Sequence, residues 1–576
     1  MSHLPAKSLS LLPNDPELVF GLVGPLGANL AAVEAALQKA LEEVSYKCEP
    51  PISLSSDAQT LARALARDLT ASTVKAHKEL VAEFASHPEH SSASPKLYAH
   101  KMNLGNHLRR LTDMPDALAL LAVLKIREYR KNVYESQPGK KPADSKNPIP
   151  PIPRQAYVAH QLKRPEEVET LRRIYGDTFI LLGVYSSRRD RIENLARRFY
   201  SEGGASFPTI EAAQAEAERL VQRDTEEDGN KNFGQAVRKT FSLADAFIDG
   251  DLPPEELEKS VARLIRLLFW HPAVTPTPEE YAMFLAQGAA LRSADLGRHV
   301  GAAITTDDGQ ILSLGCNEVA HPGGGLAWGN EEPDTRDVNY QNKLDTNTTE
   351  KLRILGELIE RLGKRGWLKE GCEINAADLH ILAKDALKET RLMGLIEFLR
   401  PVHGEMAALM DAARRGISVS GGILYVTTFP CHECAKHIVA AGIKKVIFIE
   451  PYPKSQVEIL FRDSISVDRQ GSGPHIPFEP FIGIAPRRYQ TFFAMPGKIL
   501  DATGDVLVDG RRDGKGQILD WTAIKKRLSP KLAGYFRLYS AHERDMAAAL
   551  EEALVRVKAE VAPPPPKNSK KQGGKR

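Results

Sequence analysis

Cysteine is scarce in this chain: there are 5 in 576 residues, an odd number at irregular spacing. That excludes a disulfide framework and points to a reducing compartment. The opening MSHLPAKSLS lacks the charged-then-apolar pattern of an export signal, so the cytosol is the expected location. Long apolar runs are missing as well. The nearest, LALLAV at Leu118 to Val123, is too short to span a bilayer and reads as a buried helix segment. Net charge is almost absent at +3, and part of it sits at the end of the chain in Lys567, Lys570, Lys571, Lys575 and Arg576. The near-neutral body lacks the basic surface of a dedicated duplex binder. Aromatic residues make up 7% and do not cluster with lysine or arginine, which counts against a platform for single-stranded nucleic acid.

What is present is an ordinary globular composition, 42% hydrophobic and 26% charged, on a chain too long for one core. Short apolar runs alternate with amphipathic helical stretches through the first half, the rhythm of an α/β domain with a mainly parallel sheet. Leu18 to Gly24 reads as a strand, followed by a glycine-rich turn and a helix from about Ala28 to Val44. Later strands are expected at Gln155–Ala159, Phe179–Val184 and Ala244–Ile248, and the proline- and lysine-rich stretch Glu135–Pro153 as an exposed loop. Prolines and threonines at 271–280 mark a boundary, giving domains over 1–272 and 273–545. The second opens with a helix (YAMFLAQGAALRSAD) and a hairpin from Val300 to Gly315 turning at Asp308 and Gly309. It continues through LYVTTF, ECAKHIVAAG and KVIFIE, with a charged helical insertion over 334–400. Residues 546–576 read as a helical end and a polyproline and basic tail that cannot bury a core.

The chemistry is concentrated in VHGEMAALMDAARRG and TTFPCHECAKHIVAAG, which carry H-x-E and then P-C-x-x-C. Cys431 and Cys434 stand three apart at a helix start, so both sulfurs point the same way and the helix's positive end favours their thiolates. His403 supplies a third ligand as neutral imidazole, leaving one zinc ion an open tetrahedral position for water. Glu405 is not needed for the metal and is free to move protons. A lone C-x-x-C also fits a zinc knuckle or a redox pair; the order and context of both motifs favour catalysis. His432 and His437 are expected to stay out of the ligand set, because a fourth protein ligand would close the water site. Cys48, Cys316 and Cys372 have no partner at ligand spacing and read as free thiols.

The H-x-E and P-C-x-x-C pattern resembles that of the zinc nucleobase deaminases, in which a conserved glutamate acts as general acid and base. Residues from about Glu279 to Phe493 resemble the cytidine and deoxycytidylate deaminase family. SADLGRHVGAAITTDDGQILSLGCNEVAHPGGG is similar to that family's first helix and hairpin, through its S-x-D, V-G-A, D-G and G-x-N elements. The resemblance implies a three-layer α/β/α domain in which Asn317 contacts the sugar and pyrimidine; a turn residue capping a strand end is the alternative. His299 stands where relatives often have glutamine, so the local pocket departs from the family's. After KVIFIE, PYPKSQ is similar to the segment flanking the base, which implies that Tyr452 borders the substrate and that Lys454 meets a phosphate. Arg487 and Arg488 serve either a triphosphate or the structure.

In the first domain GLVGPLGANL occupies the place of a phosphate-binding loop, with Gly21, Gly24 and Gly27 for the turn and close backbone approach. It lacks the closing lysine and hydroxyl residue, so nucleotide binding and a plain strand-to-helix turn both stay open, and ATP hydrolysis is doubtful. MNLGNHLRR, LKRPEEVETLRRIYGDTFILLGVYSSRRDR and RDTEEDGNKNFGQAVRKTFSLADAFI are similar to a P-loop nucleotide-kinase-like domain. That pairing resembles the bacterial anti-phage dCTP deaminases. The resemblance implies deamination of dCTP and dCMP during infection, homo-oligomers built through helices such as those near Leu352 and Leu392, and in some members an inhibitory small RNA. Competing readings are a housekeeping dCMP deaminase supplying dUMP, and a cytosine deaminase acting on a polynucleotide.

Overall fold

The computed structural model describes residues 15–70, 74–86, 94–138, 149–202, 207–226, 236–339, 346–368, 378–379, 381–382, 386–387, 390–452, 455–467, 474–495, 498–500, 506–531 and 536–559. The chain divides into one unit of Met1–Val274 with Gln490–Arg576 and another of Thr275–Tyr489. Residues 490–545, expected in the second domain, group with the first. The cause is specific anchoring: the Trp521 indole donates to the Phe269 carbonyl at 2.7 Å and that of Trp270 to the Ser529 carbonyl at 3.0 Å. Such long-range contacts leave no local periodicity to read.

In the first unit the strands β1 (Leu18–Val23), β2 (Lys47–Cys48), β3 (Gln155–His160), β4 (Phe179–Tyr185) and β5 (Ala246–Asp249) lie side by side in the order 2-3-1-4-5. Each neighbouring pair is parallel. Strands β1 and β4 are buried along their whole length, as their unbroken apolar runs require of a parallel sheet covered on both faces. The connecting helices used below are α1 (Leu30–Glu43), α2 (Leu54–Asp68), α3 (Pro95–Thr112), α4 (Ala117–Glu135), α5 (Arg188–Glu202) and α6 (Ile210–Glu226). LALLAV lies in α4 and is buried or nearly so. Arg130 of α4 is 2% exposed between two carboxylates, Glu17 at 2.6 Å and Glu543 at 2.6 Å, the latter on the helix Phe536–Ala559. Burial raises the Glu17 pKa against the pull of Arg130. Gly21 lies inside β1 and not in the turn; a Cβ there would meet Leu162 at 2.7 Å and the Phe179 ring at 2.9 Å.

The second unit opens with α7 (Pro278–Ala290), started by a capping box in which the Thr277 hydroxyl accepts from the Glu280 N–H and Glu280 accepts from the Thr277 N–H. This helix ends at Ala290, short of the expected Asp295, because Ser293 turns away to donate its hydroxyl to the Asn317 carbonyl at 2.6 Å. The hairpin follows as β6 (Gly301–Thr305) and β7 (Ile311–Cys316), with Gly309 at φ +86° in the turn. β8 (Ile423–Thr428), β9 (Lys445–Glu450), β10 (Ile465–Val467) and β11 (Ile476–Pro480) complete a mixed sheet in the order 10-11-9-8-6-7. β8, β9, β11 and β10 run parallel to one another, and the hairpin is antiparallel.

Helices α8 (Gly404–Arg414) and α9 (His432–Ala440) share one core with the sheet: Ala302, Ile304, Leu424, Val426, Val446 and Phe448 meet Ala408, Leu409, Ala435 and Ile438. Helix α7 lies against the opposite face. Close approach explains two glycines: a Cβ on Gly301 would stand 1.9 Å from the Ala286 carbonyl of α7, and one on Gly315 would stand 2.3 Å from the Ala408 nitrogen of α8. Within the 334–400 insertion the helix Thr346–Lys364 carries Leu352, whereas Leu392 sits in a 3-10 turn, Leu392–Gly394. Arg488 is 7% exposed. Among the described residues no helix is long and apolar enough to cross a membrane.

Candidate metal centre and active site

Both halves of the candidate centre are helix starts. Strand β8 runs out at Thr428, and Phe429 and Pro430 lead to Cys431, which caps α9. The Cys431 sulfur accepts the Cys434 N–H at 3.4 Å, so one of the helix's free amides is spent on sulfur. His403 caps α8, and Glu405 stands in that helix's first turn. The sequence separates His403 from the hairpin by the insertion, but Pro401–Val402 pairs antiparallel with Glu318–Val319 and brings the two segments back together.

As a result His403 Nδ1 lies 3.3 Å from both sulfurs, and the three donor atoms fall within 4.8 Å of one another. No other such group occurs among the described residues, and His432 and His437 are not in it. One imidazole nitrogen and two thiolates are a borderline-soft set that suits zinc, and three protein ligands leave a fourth position open. Cys431 is held down to about 4, chiefly by the hydrogen bond from the Cys434 thiol and also by the one from His403, while the proton the pair retains sits on Cys434. The hydrogen bond to Cys431 pushes His403 up to about 9. Glu405 is 4% exposed, and burial, aided by the negative Cys431, pushes its carboxyl up to about 7. It accepts a hydrogen bond from the Cys434 thiol. Cys48 and Cys316 are free thiols whose pKa burial raises; Cys372 lies outside the described residues.

Asn317 is 5% exposed and ties down the loop between α7 and β6. Its Oδ1 accepts the Val300 N–H at 2.7 Å and its Nδ2 donates to the Arg298 carbonyl. Asp295 also accepts from it. That loop holds two further polar residues, Asp295 and Arg298. Burial raises the Asp295 carboxyl, which feels the charge of His403. The Arg298 guanidinium lies 5.5 Å from the centroid of the Tyr452 ring and 3.9 Å from Glu450. Tyr452 packs on the core of the unit close enough to Cys431 that the sulfur's charge, after burial, helps to raise its pKa. The S-x-D motif marked Asp295; nothing local marked Arg298. Lys454 lies outside the described residues.

Residues 276–450 match the cytidine and deoxycytidylate deaminase zinc-binding region. The region is a zinc-binding one, and His403, Cys431 and Cys434 are the group in it that can hold the metal. The deoxycytidylate deaminase of Enterobacteria phage T2 is 46% identical over 55 residues, 10% of this chain and 29% of that protein. That of Homo sapiens is 49% identical over 47 residues, 8% of this chain and 25% of that protein. The chain thus spans less than a third of the length of these relatives. Among solved structures, the dCMP deaminase of cyanophage S-TIM5 in apo form is 17% identical, aligns over 36% of this chain and 100% of its own, and has a TM-score of 0.19.

Proposed function

We propose that the second unit hydrolytically deaminates deoxycytidine nucleotides: water adds at C4 of cytosine, ammonia leaves, and a uracil ring remains. The observation that carries this reading is the convergence of His403, Cys431 and Cys434, with Glu405 buried in the same helix turn as the histidine ligand. Zinc held by those three residues would supply an activated water, its pKa brought toward ~7. Glu405 takes a proton from the attacking water and delivers it to N3, then takes the remaining proton from the new C4 hydroxyl and passes it to the amine, which leaves as ammonia. A carboxyl poised near neutrality by burial suits both directions of that transfer. Asn317 sets the loop against which sugar and base rest, Tyr452 borders the ring, and Arg298 with Lys454 receives the phosphate end.

The reading includes dCTP beside dCMP and a role in draining deoxycytidine nucleotides during phage infection. Its support is the pairing of this catalytic unit with a second parallel α/β unit, which supplying dUMP alone does not call for. The test is incubation of the purified, zinc-loaded protein with dCMP, dCTP, CTP and a cytosine-containing oligonucleotide, following ammonia and uracil products. Conversion of the deoxynucleotides is the expected result. Conversion of the oligonucleotide alone overturns the reading, and conversion of dCMP without dCTP overturns the defence part.

A further inference from the structure

His403 reaches the metal centre from the far side of the insertion over 334–400, and little regular structure holds its lead-in. The bridge of Pro401–Val402 with Glu318–Val319 is two residues long on each strand, and so short a two-stranded pair is marginal by itself. Ahead of it, carbonyls of the stretch 393–398 accept from side chains of the helix Thr346–Lys364: Lys351 donates to that of Met393 at 3.2 Å, Asn347 to that of Leu395 at 2.8 Å and Thr346 to that of Phe398 at 3.0 Å. Ile396, in the same stretch, packs on the core that also contains Cys431 and Cys434.

Between that stretch and His403 stands an ion pair. The Arg400 guanidinium donates to the Asp337 carboxylate at 3.0 Å and to the Thr335 carbonyl at 3.2 Å. Asp337 belongs to the 3-10 turn Asp337–Asn339 at the other end of the insertion, 63 residues away along the chain. Drawing together the ends of so long a segment costs chain entropy, which a contact at its neck offsets. The pair is also sheltered from solvent screening. Asp337 is 3% exposed, whereas the Arg353 side chain, paired with Glu357 on the helix Thr346–Lys364, is 63% exposed. After burial, the charge of Asp337 is among the causes that raise the Asp295 carboxyl, which places the pair beside the loop that carries Asp295 and Arg298.

We propose that Arg400 and Asp337 are positioning residues for the metal centre: their pair closes the neck of the insertion and so sets His403 opposite the two cysteines. The inference rests on the reading of that centre as a zinc site and concerns how its histidine is held. The test is the zinc affinity of the full-length protein by competition with a chromophoric chelator, with the visible absorption of the cobalt(II) form reporting ligand geometry. Arg400→Met removes the guanidinium and keeps the stem. Asp337→Ala leaves the guanidinium, whose side chain is 26% exposed, within reach of water, and it decides the matter if Arg400→Met does not fold. The expected result is zinc binding weakened about tenfold or more in each variant, the scale on which contacts behind the ligands tune a metal site. The tetrahedral cobalt bands shift or vanish, and the double variant loses no more than either single one, as coupled partners require. Arg353→Ala leaves affinity and spectrum unchanged. Wild-type affinity and spectrum in Asp337→Ala, or losses that add in the double variant, overturn the proposal. A wild type that takes up zinc but deaminates no deoxycytidine nucleotide overturns the proposed reaction and not this assignment.

Discussion

Glutamine at position 405 separates the proton shuttle from the metal site. Glu405 is 4% exposed and its carboxyl is pushed up to about 7, so it is poised to accept and return a proton near neutral pH. It is not among the three donors that converge for the metal. Glu405→Gln keeps the shape of the side chain and a hydrogen-bonding end in that buried place but cannot carry a proton. A positioned acid–base group is worth about 10²–10⁴ in rate, which corresponds to roughly 2.7–5.4 kcal/mol on the barrier. The variant should therefore retain one zinc per chain by elemental analysis while kcat for dCMP, followed as cytosine absorbance gives way to uracil, falls by that factor. Cys431→Ala should lose both. If Glu405→Gln lost zinc in proportion to its activity, the carboxylate would be a ligand, and a kcat within tenfold of wild type would show that protons travel by another route.

Other outcomes follow from single contacts. Because His403 is held up to about 9 by Cys431 and Cys434 retains its proton, zinc uptake at pH 7 must displace both, releasing about two protons. Zinc affinity therefore rises with pH, and titration heats that do not vary between buffers of different ionisation enthalpy would contradict this. Asn317→Ala strands the Val300 N–H and the Arg298 carbonyl, costing about 0.5–1.5 kcal/mol for each part-buried hydrogen bond lost. It should lower the melting point and raise KM with zinc retained; an unchanged KM would leave Asn317 a purely structural residue. Gly301→Ala forces α7 off the sheet, a strain of about 1–3 kcal/mol or more, and an unaltered thermal transition would refute the packing argument. Arg130→Met leaves Glu17 and Glu543 facing each other without their cation, a loss of about 3–5 kcal/mol. Protonation relieves the two carboxyls, so the loss should be smaller at pH 5 than at pH 8 in denaturant titrations; a pH-independent loss would count against it.

What the sequence by itself determined were the features whose cause is local. Strand β1, the hairpin turning at Gly309, and the placement of His403 and Cys431 at helix starts follow from apolar patterning, turn chemistry and capping over a few residues. The grouping of His403, Cys431 and Cys434 as residues that could hold a metal was legible for the same reason, since H-x-E and P-C-x-x-C each sit on one turn of helix. Tertiary structure decided the rest. The approach of His403 to the two sulfurs depends on Pro401–Val402 finding Glu318–Val319 across the insertion. The engagement of Asn317 with the 293–300 loop, the approach of Arg298 to the Tyr452 ring, and the place of residues 490–545 in the first unit likewise join distant segments. Gly21, grouped with the turn in the sequence, proved to be a strand residue whose missing side chain makes room for Leu162 and Phe179. Contacts of this kind are selected by volume, burial and the pairing of polar groups between segments far apart, and they leave no periodic trace along the chain.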